Sequence, residues 1–388
     1  MRIAYFTESL PPNIDGVSRT FVQLAAYLER NDIDFRFYSP FAPDESNSWH
    51  RRVKKVRSVP FILYRAYRWS MPGISNLGPD LEEFRPDIVQ VTSPTLLGGF
   101  GLSYAKEKGI PAVASYHTHF ISYFKYYRLT LLETLGWNIL RNFYNRAEMT
   151  FVPSNTMKNE LVEQDFKNLR IWGRGIDLDK FSPKKRNAEL RRKAGAEHIP
   201  IVLYTGRLVK EKDLEDVVGV YKILKSENMV FKMVFVGDGP LRPYLEREMP
   251  DAYFAGFQRD EGLWQWYASG DVFLFPSTTE AFGNVVQEAL GSGVPAVGAR
   301  AGGVADLIED GMNGFLVAPK DVPAMADRVR LLIDDAGLRK KLGRYARVRA
   351  RKSSWDAING QLVKHYGEVL ETNGAKKKAD EEVYDCAL

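Results

Sequence analysis

The sequence predicts an α/β protein made of two doubly wound domains, and three observations predict it. Short apolar strands alternate with amphipathic helical stretches through residues 2–153. The chain then turns polar and basic at Lys184-Lys185-Arg186 and Arg191-Arg192-Lys193, a composition shift that reads as an interdomain linker. A second alternating series runs from Ile201 to Val317. Alternation of this kind indicates parallel sheets covered by helices on both faces.

Taken in order, residues 2–6 form an apolar strand closed by Thr7-Glu8-Ser9 and Pro11-Pro12, and Asn13-Ile14-Asp15-Gly16 makes a turn. Val17, Phe21, Leu24, Ala25 and Leu28 then recur at helical spacing. Residues 87–91, 111–115 and 149–153 read as strands, and residues 96–108 as a helix ending at Gly109. In the second series the strands are residues 201–205, 231–236, 252–255, 272–275, 295–298 and 314–317, with helices between them such as 213–226 and 284–290. The expected domains are residues 1–183 and 184–354. A last helical stretch, 355–372, follows, and a charged tail, 373–388, is expected to be disordered.

Composition narrows the function classes. Hydrophobic residues make up 45% and charged residues 27%, as in a soluble globular protein. The net charge of +5 is too modest to argue for nucleic acid, and no RNA-binding motif is present; a phosphorylated ligand or an anionic membrane surface accounts for it equally well. The single cysteine, Cys386, permits neither an intrachain disulfide nor a cysteine-based metal site. No signal-peptide core follows Arg2, and no run of about 18 apolar residues occurs. The expected location is cytoplasmic, peripheral on the inner face of the cell membrane.

The most informative segment runs from Thr278 to Ala289 and contains Glu280, Phe282, Gly283, Asn284 and Glu288. It follows a strand and opens a helix. Gly283 lets the backbone approach a ligand, and the amides of Asn284, Val285 and Val286 are expected to point outward at the positive end of the helix dipole, a ready phosphate site. Glu280 and Glu288 are eight residues apart, and a carboxylate accepts two hydroxyl hydrogen bonds, so the pair suits a polyol ligand. Taken singly, each reads as a capping or surface glutamate. A second strand–loop–helix junction carries Arg207 and Lys212, two cations able to converge on a diphosphate and stabilise it as a leaving group. Alone, it is also an ordinary basic loop. His117 and His119 end the strand 111–115. With no third ligand in view, His117 reads as a site residue rather than a metal ligand. Gly237-Asp238-Gly239-Pro240 fits a ligand approach or a plain turn, and Asp177-Leu178-Asp179 reads as a turn rather than a metal-binding pair. The dinucleotide fingerprint G-x-G-x-x-G is missing.

Together these segments resemble glycosyltransferase family 4, whose GT-B fold sets two Rossmann-like doubly wound domains facing across a cleft. The resemblance spans nearly the whole chain, and Glu280…Glu288 is its E-x7-E signature. It implies that Arg207 and Lys212 bind the donor diphosphate, Glu280 contacts the transferred sugar, and Glu288 holds the ribose hydroxyls. Phe282, Gly283, Asn284 and Val285 match the loop presenting amides to the donor, Gly16 matches the glycine under the phosphates, and His117 matches the histidine that meets the donor sugar. Gly237 and Phe257 are expected near the donor, with base choice set around Phe257. The stretch 355–370 is implied to cross back to the first domain. The family retains anomeric configuration and requires no metal or other cofactor. The implied donor is a nucleotide sugar, GDP-mannose slightly favoured over UDP-hexoses.

The acceptor reading rests on two stretches. Between Ser46 and Pro79, Arg51, Arg52, Lys54, Lys55, Arg57, Arg65 and Arg68 interleave with aromatic and aliphatic residues, and no acid occurs. Residues 121–146 are similarly rich in Tyr, Phe, Arg and Lys. Such stretches suit an anionic lipid surface, and equally a solvated face over core aromatics. The pattern from Tyr116 to Arg146 resembles a subgroup of phosphatidylinositol mannosyltransferase-like, sulfolipid-forming and diacylglycerol glycosyltransferases, which implies a lipid acceptor. The competing expectations are a soluble or polysaccharide acceptor, a sugar-nucleotide epimerase of the same fold, and a non-catalytic lipid-binding protein.

Overall fold

The computed structural model describes residues 1–13, 15–60, 68–117 and 131–385. Residues 61–67 and 118–130, which include His119 and much of both basic–aromatic stretches, lie outside the described residues. The chain divides into two units. One comprises residues 1–153, 158–173 and 355–388; the other comprises residues 154–157 and 174–354.

Among the described residues of the first unit, nine strands follow the chain: β1 (Arg2–Phe6), β2 (Asp34–Ser39), β3 (Val53–Lys55), β4 (Ser58–Pro60), β5 (Arg68–Ser70), β6 (Ile88–Val91), β7 (Ala112–Ser115), β8 (Met149–Val152) and β9 (Leu169–Ile171). Seven form one parallel sheet in the order β3-β2-β1-β6-β7-β8-β9, and β4 pairs antiparallel with β5. The central strands are buried along their length and read as continuous apolar runs, as a sheet covered on both faces requires. The helix Gly16–Arg30 puts Phe21, Leu24, Ala25 and Leu28 into the core beside Tyr5, Phe35 and Phe37. The final helix, Trp355–Asp385, adds Leu362, Tyr366 and Val369 to the same core. Its backbone stays helical well past residue 372, where a disordered tail was expected. The segment after Gly374 is built largely of Ala, Lys, Asp and Glu, several of them good helix formers.

In the second unit, β10 (Ile201–Thr205), β11 (Lys232–Val236), β12 (Tyr253–Gly256), β13 (Val272–Phe275), β14 (Ala296–Ala299) and β15 (Gly314–Val317) form a parallel sheet ordered β12-β11-β10-β13-β14-β15. The basic stretch expected as a linker is built into this unit instead. Asn187 caps the short helix Ala188–Lys193, and Arg186 and Arg191 each bind Asp271 at 2.8 Å. Charge pairing to one carboxylate holds the stretch in place.

Each sheet reverses its winding once, between β1 and β6 in the first unit and between β10 and β13 in the second. Ligands of doubly wound sheets bind outside the carboxyl ends of the strands at such a point. Among the described residues no helix is long and apolar enough to cross a membrane.

Candidate active site

The loops after β10 and β13 emerge side by side at the switch point of the second unit, and three contacts lace them together. Thr278 donates its backbone N–H (3.0 Å) and its hydroxyl (2.8 Å) to Asp213. Thr279 Oγ1 donates to the carbonyl of Glu211 at 3.0 Å. Lys212 Nζ is paired with Glu280 Oε1, which Ser277 Oγ also reaches at 3.4 Å. Asp213 holds a left-handed turn, φ 54°, and its other oxygen binds Lys320 at 2.6 Å. An Asp tolerates that backbone region, so one buried carboxylate both turns the chain and clasps the neighbouring loop.

The two predicted cations are therefore held differently. Lys212 is 13% exposed and faces Glu280, which is 20% exposed. Arg207 is 57% exposed and reaches Glu211 at 3.3 Å, while its carbonyl accepts from the buried Tyr204 hydroxyl at 3.2 Å. Each cation has its own carboxylate, so the pair is brought to one loop but not onto one partner.

Gly283 precedes the helix Asn284–Gly291 at φ 95°, a region open chiefly to glycine. No side chain caps this helix. The amides of Asn284 and Val285 meet no acceptor among the described residues, and both residues are partly exposed. Val286 differs from expectation: its amide bonds the Gly283 carbonyl at 2.9 Å, closing the first turn tightly, so it is not part of an open anion site. Phe282 is half-buried beside this terminus. Glu288, one turn further into the helix, is buried and accepts from the Tyr267 hydroxyl at 2.6 Å.

Two predicted donor residues lie outside the two segments that carry the Lys212–Glu280 pair. Gly237 is glycine because a Cβ there would strike the Gly206 carbonyl, where the loops after β10 and β11 cross. Close backbone packing explains it without a ligand. Phe257 follows β12 at the sheet edge, largely exposed, with the Arg259 guanidinium 5.0 Å over its ring. The Asp177 turn is as expected: its carboxylate accepts the amides of Asp179 and Lys180, both at 3.1 Å.

In the first unit, Gly16 opens its helix, but Asp15 accepts the amides of Val17 and Ser18 at 2.8 Å each, so that terminus is already satisfied. His117 follows β7, edge-on to Phe21 and Trp172, with Nε2 2.9 Å from Ser115 Oγ. Among the described residues, no group of three or more His, Cys, Asp or Glu side chains is placed to hold a metal. Sequence reasoning missed Asp213, Thr278 and Ser277, which position the Lys212–Glu280 pair. An Asp closing a loop before a helix was the available signal, and it points to a cap, which here it is not.

Comparison with known proteins bears on the whole chain. Residues 14–180 match the family model "Glycosyltransferase Family 4", and residues 186–349 match "Glycosyl transferases group 1". The chain is 34% identical over 384 residues to a GDP-mannose-dependent alpha-mannosyltransferase of Corynebacterium glutamicum, covering 95% of this chain and 89% of that protein. It is 28% identical over 331 residues to an alpha-monoglucosyldiacylglycerol synthase of Streptococcus pneumoniae, covering 81% and 75%. Among solved structures it resembles Anabaena Alr3699/HepE in complex with UDP, with a TM-score of 0.76 at 20% identity, covering 95% of this chain and 100% of that one. A match that holds through both units, over this switch-point geometry, places the chain in glycosyltransferase family 4, and its activity is that of a glycosyltransferase.

Proposed function

We propose that the enzyme transfers a hexosyl group, mannosyl foremost, from a nucleotide-diphosphate sugar to the hydroxyl of a membrane lipid with retention of anomeric configuration. The observation that carries this reading is the Lys212–Glu280 pair held beside the uncapped start of the helix Asn284–Gly291. Lys212, Arg207 and the amides of Asn284 and Val285 receive the diphosphate. Glu280 accepts hydroxyls of the transferred sugar and Glu288 those of the ribose. His117 is the first unit's candidate sugar-binding residue, a role that the family resemblance implies. The acceptor hydroxyl attacks the anomeric carbon on the face the diphosphate leaves. A C–O bond to the acceptor forms, the bond to the diphosphate oxygen breaks, and the hydroxyl proton passes to the departing diphosphate. Cations and amides aimed at that oxygen stabilise the charge it acquires.

GDP-mannose is the favoured donor because of the C. glutamicum relative, and a lipid acceptor because of the S. pneumoniae one. The first unit adds a physical reason. Val59, Trp69, Met71, Ile74 and Leu96 are exposed on or next to the β4–β5 hairpin, close to Lys55, Arg57 and Arg68, and the helix Leu96–Glu107 packs on β5 and on the turn Pro72–Ile74. Apolar side chains beside cations suit an anionic lipid surface. The test is release of nucleoside diphosphate from GDP-mannose, UDP-glucose and UDP-galactose, with and without anionic vesicles carrying diacylglycerol or phosphatidylinositol. The expected result is one preferred donor whose turnover rises with vesicles. Release that vesicles leave unchanged and a soluble sugar stimulates would overturn the lipid acceptor.

A further inference from the structure

The buried carboxylate of Asp213 has a second acid beside it. Asp213 precedes the helix Leu214–Ser226, and Asp216 lies in the first turn of that helix. Both side chains are out of water, Asp213 1% and Asp216 9% exposed. One ammonium serves the two. Lys320 Nζ lies 2.6 Å from Asp213 Oδ1, and 3.4 Å and 3.3 Å from Oδ1 and Oδ2 of Asp216. The other Asp213 oxygen holds the amide and the hydroxyl of Thr278. The Asp216 carboxylate has no other side-chain partner among the described residues, and burial pushes it up against the opposing pull of Lys320.

The lysine reaches these acids from a third loop. It follows β15, the edge strand, which β13 and β14 separate from β10. The next helix, Val322–Asp334, packs on Leu214–Ser226, and Gly219 lets it close in: a Cβ there would lie 2.7 Å from Val322 Cγ1. Lys320 itself is left-handed, φ 67°, where glycine sits freely and a lysine is uncommon. The turn alone calls for glycine, whereas the two acids call for an ammonium. Without it, two buried carboxylates face each other unbalanced, and a buried charge that loses its partner is strongly destabilising. Asp213 would then swing away, and Thr278, two residues before Glu280, would lose its anchor.

We infer that Lys320 is a positioning residue for transfer: shared between Asp213 and Asp216, its ammonium fixes the carboxylate that ties Thr278 to the loop after β10, and so sets Lys212 against Glu280. The clasp follows from the geometry of the second unit, and its use in transfer rests on the proposed function of the Lys212–Glu280 pair.

Two measurements on the full chain test this. Hydrogen exchange at the Thr278 amide reads the clasp. Lys320→Gly suits the left-handed turn and lacks the ammonium, so it should exchange there about tenfold faster than wild type, the scale of one hydrogen bond, and Lys320→Arg should not. Unchanged protection in Lys320→Gly overturns the inference. Steady-state kinetics with the preferred nucleotide sugar read its use. In Lys320→Gly and Lys320→Met, kcat should fall about ten- to a hundredfold, the cost of misplaced reacting groups, while Lys320→Arg keeps most turnover. Affinity for the nucleoside diphosphate, measured by calorimetry, should fall less, because Arg207 and the amides of Asn284 and Val285 remain. Equal falls mean that Lys320 touches the diphosphate itself, and they overturn a positioning role. Asp216→Asn added to Lys320→Met removes one of the two unbalanced charges and should restore kcat toward wild type. No restoration, or wild-type kcat in Lys320→Gly, overturns the inference too. A wild type that turns over no nucleotide sugar sinks the proposed function, and the Thr278 amide still decides the clasp.

Discussion

The two sheets have equivalent switch points, yet the helices that start there are finished differently. In the first unit both are closed by side chains: Asp15 takes the amides of Val17 and Ser18, and Thr95 takes that of Gly98 at 3.2 Å. In the second unit neither is. Asp213 stands where a cap would, but its carboxylate is spent on Thr278 and Lys320, and Gly283 has no side chain to offer. A helix start closed by its own carboxylate has no use for an anion, whereas an open one flanked by Lys212 invites it. The same folding pattern thus yields one unit whose helix starts are capped by side chains and one, proposed as the diphosphate site, whose helix starts are not.

The strongest way to break this contrast is Lys212→Ala. It removes the cation proposed to balance the leaving diphosphate and leaves Glu280 without its charged partner, so kcat should fall on the order of 10²–10³-fold, as for other preorganised charge stabilisers. Lys212→Met, which keeps the aliphatic stem, should fall as far. Unchanged turnover in both, with circular dichroism like that of wild type, would show that the second unit's open terminus is not the diphosphate site.

Next in size is Gly283→Ala. A side chain at φ 95° strains the backbone, and the new Cβ would sit 3.3 Å from Val304 Cγ2, so the turn must move. The strain is about 1–3 kcal/mol. Affinity for GDP or UDP, measured by calorimetry, should drop about tenfold or more while the first unit's spectrum is untouched. An affinity equal to that of wild type would mean that the amides of Asn284 and Val285 do not meet the ligand.

How far these features could be read from the residues follows from how local each one is. Glu280, Gly283 and Glu288 share one strand–loop–helix segment, so spacing alone places them. The Lys212–Glu280 pairing joins residues far apart in sequence, and the Tyr366–Gln90 bond spans most of the chain. No periodicity reports such contacts. β2 escaped because Asp34 and Arg36 interrupt its apolar run, and β3 and β9 because three residues carry no pattern. The basic run at 184–193 misled because charge was read as exposure, when Asp271 was waiting for it.

The loop after β1 offers a further contrast with its counterpart in the second unit, because it buries an acid that pairs with no cation among the described residues. Glu8 accepts from the Thr95 hydroxyl, its second oxygen has no partner among the described residues, and burial pushes its carboxyl up to about 7. The folded state holds that proton more tightly than the unfolded chain does. The resulting stability is complete below the ordinary value of 4.5 and is lost as pH rises to about 7. Relative to Glu8→Gln, the wild type should lose up to about 3 kcal/mol across that window, read as diverging denaturation midpoints. Parallel curves for the two proteins would refute a proton held by burial.

The smallest effect sharpens the contrast from the other side. Asp15→Ala opens the helix Gly16–Arg30 by removing the acceptor of two amides and the partner of the Ser9 hydroxyl, bound at 2.6 Å. The loss should be about 1 kcal/mol of stability, the usual worth of such a cap. Its informative readout is anion affinity. If termini are chosen by their caps, the variant should gain weak phosphate binding at Val17 and Ser18, visible as amide shifts on titration that wild type should not show. No gain would mean that a free helix start alone is insufficient in this fold, and that the cation of Lys212, rather than the missing cap, distinguishes the second unit.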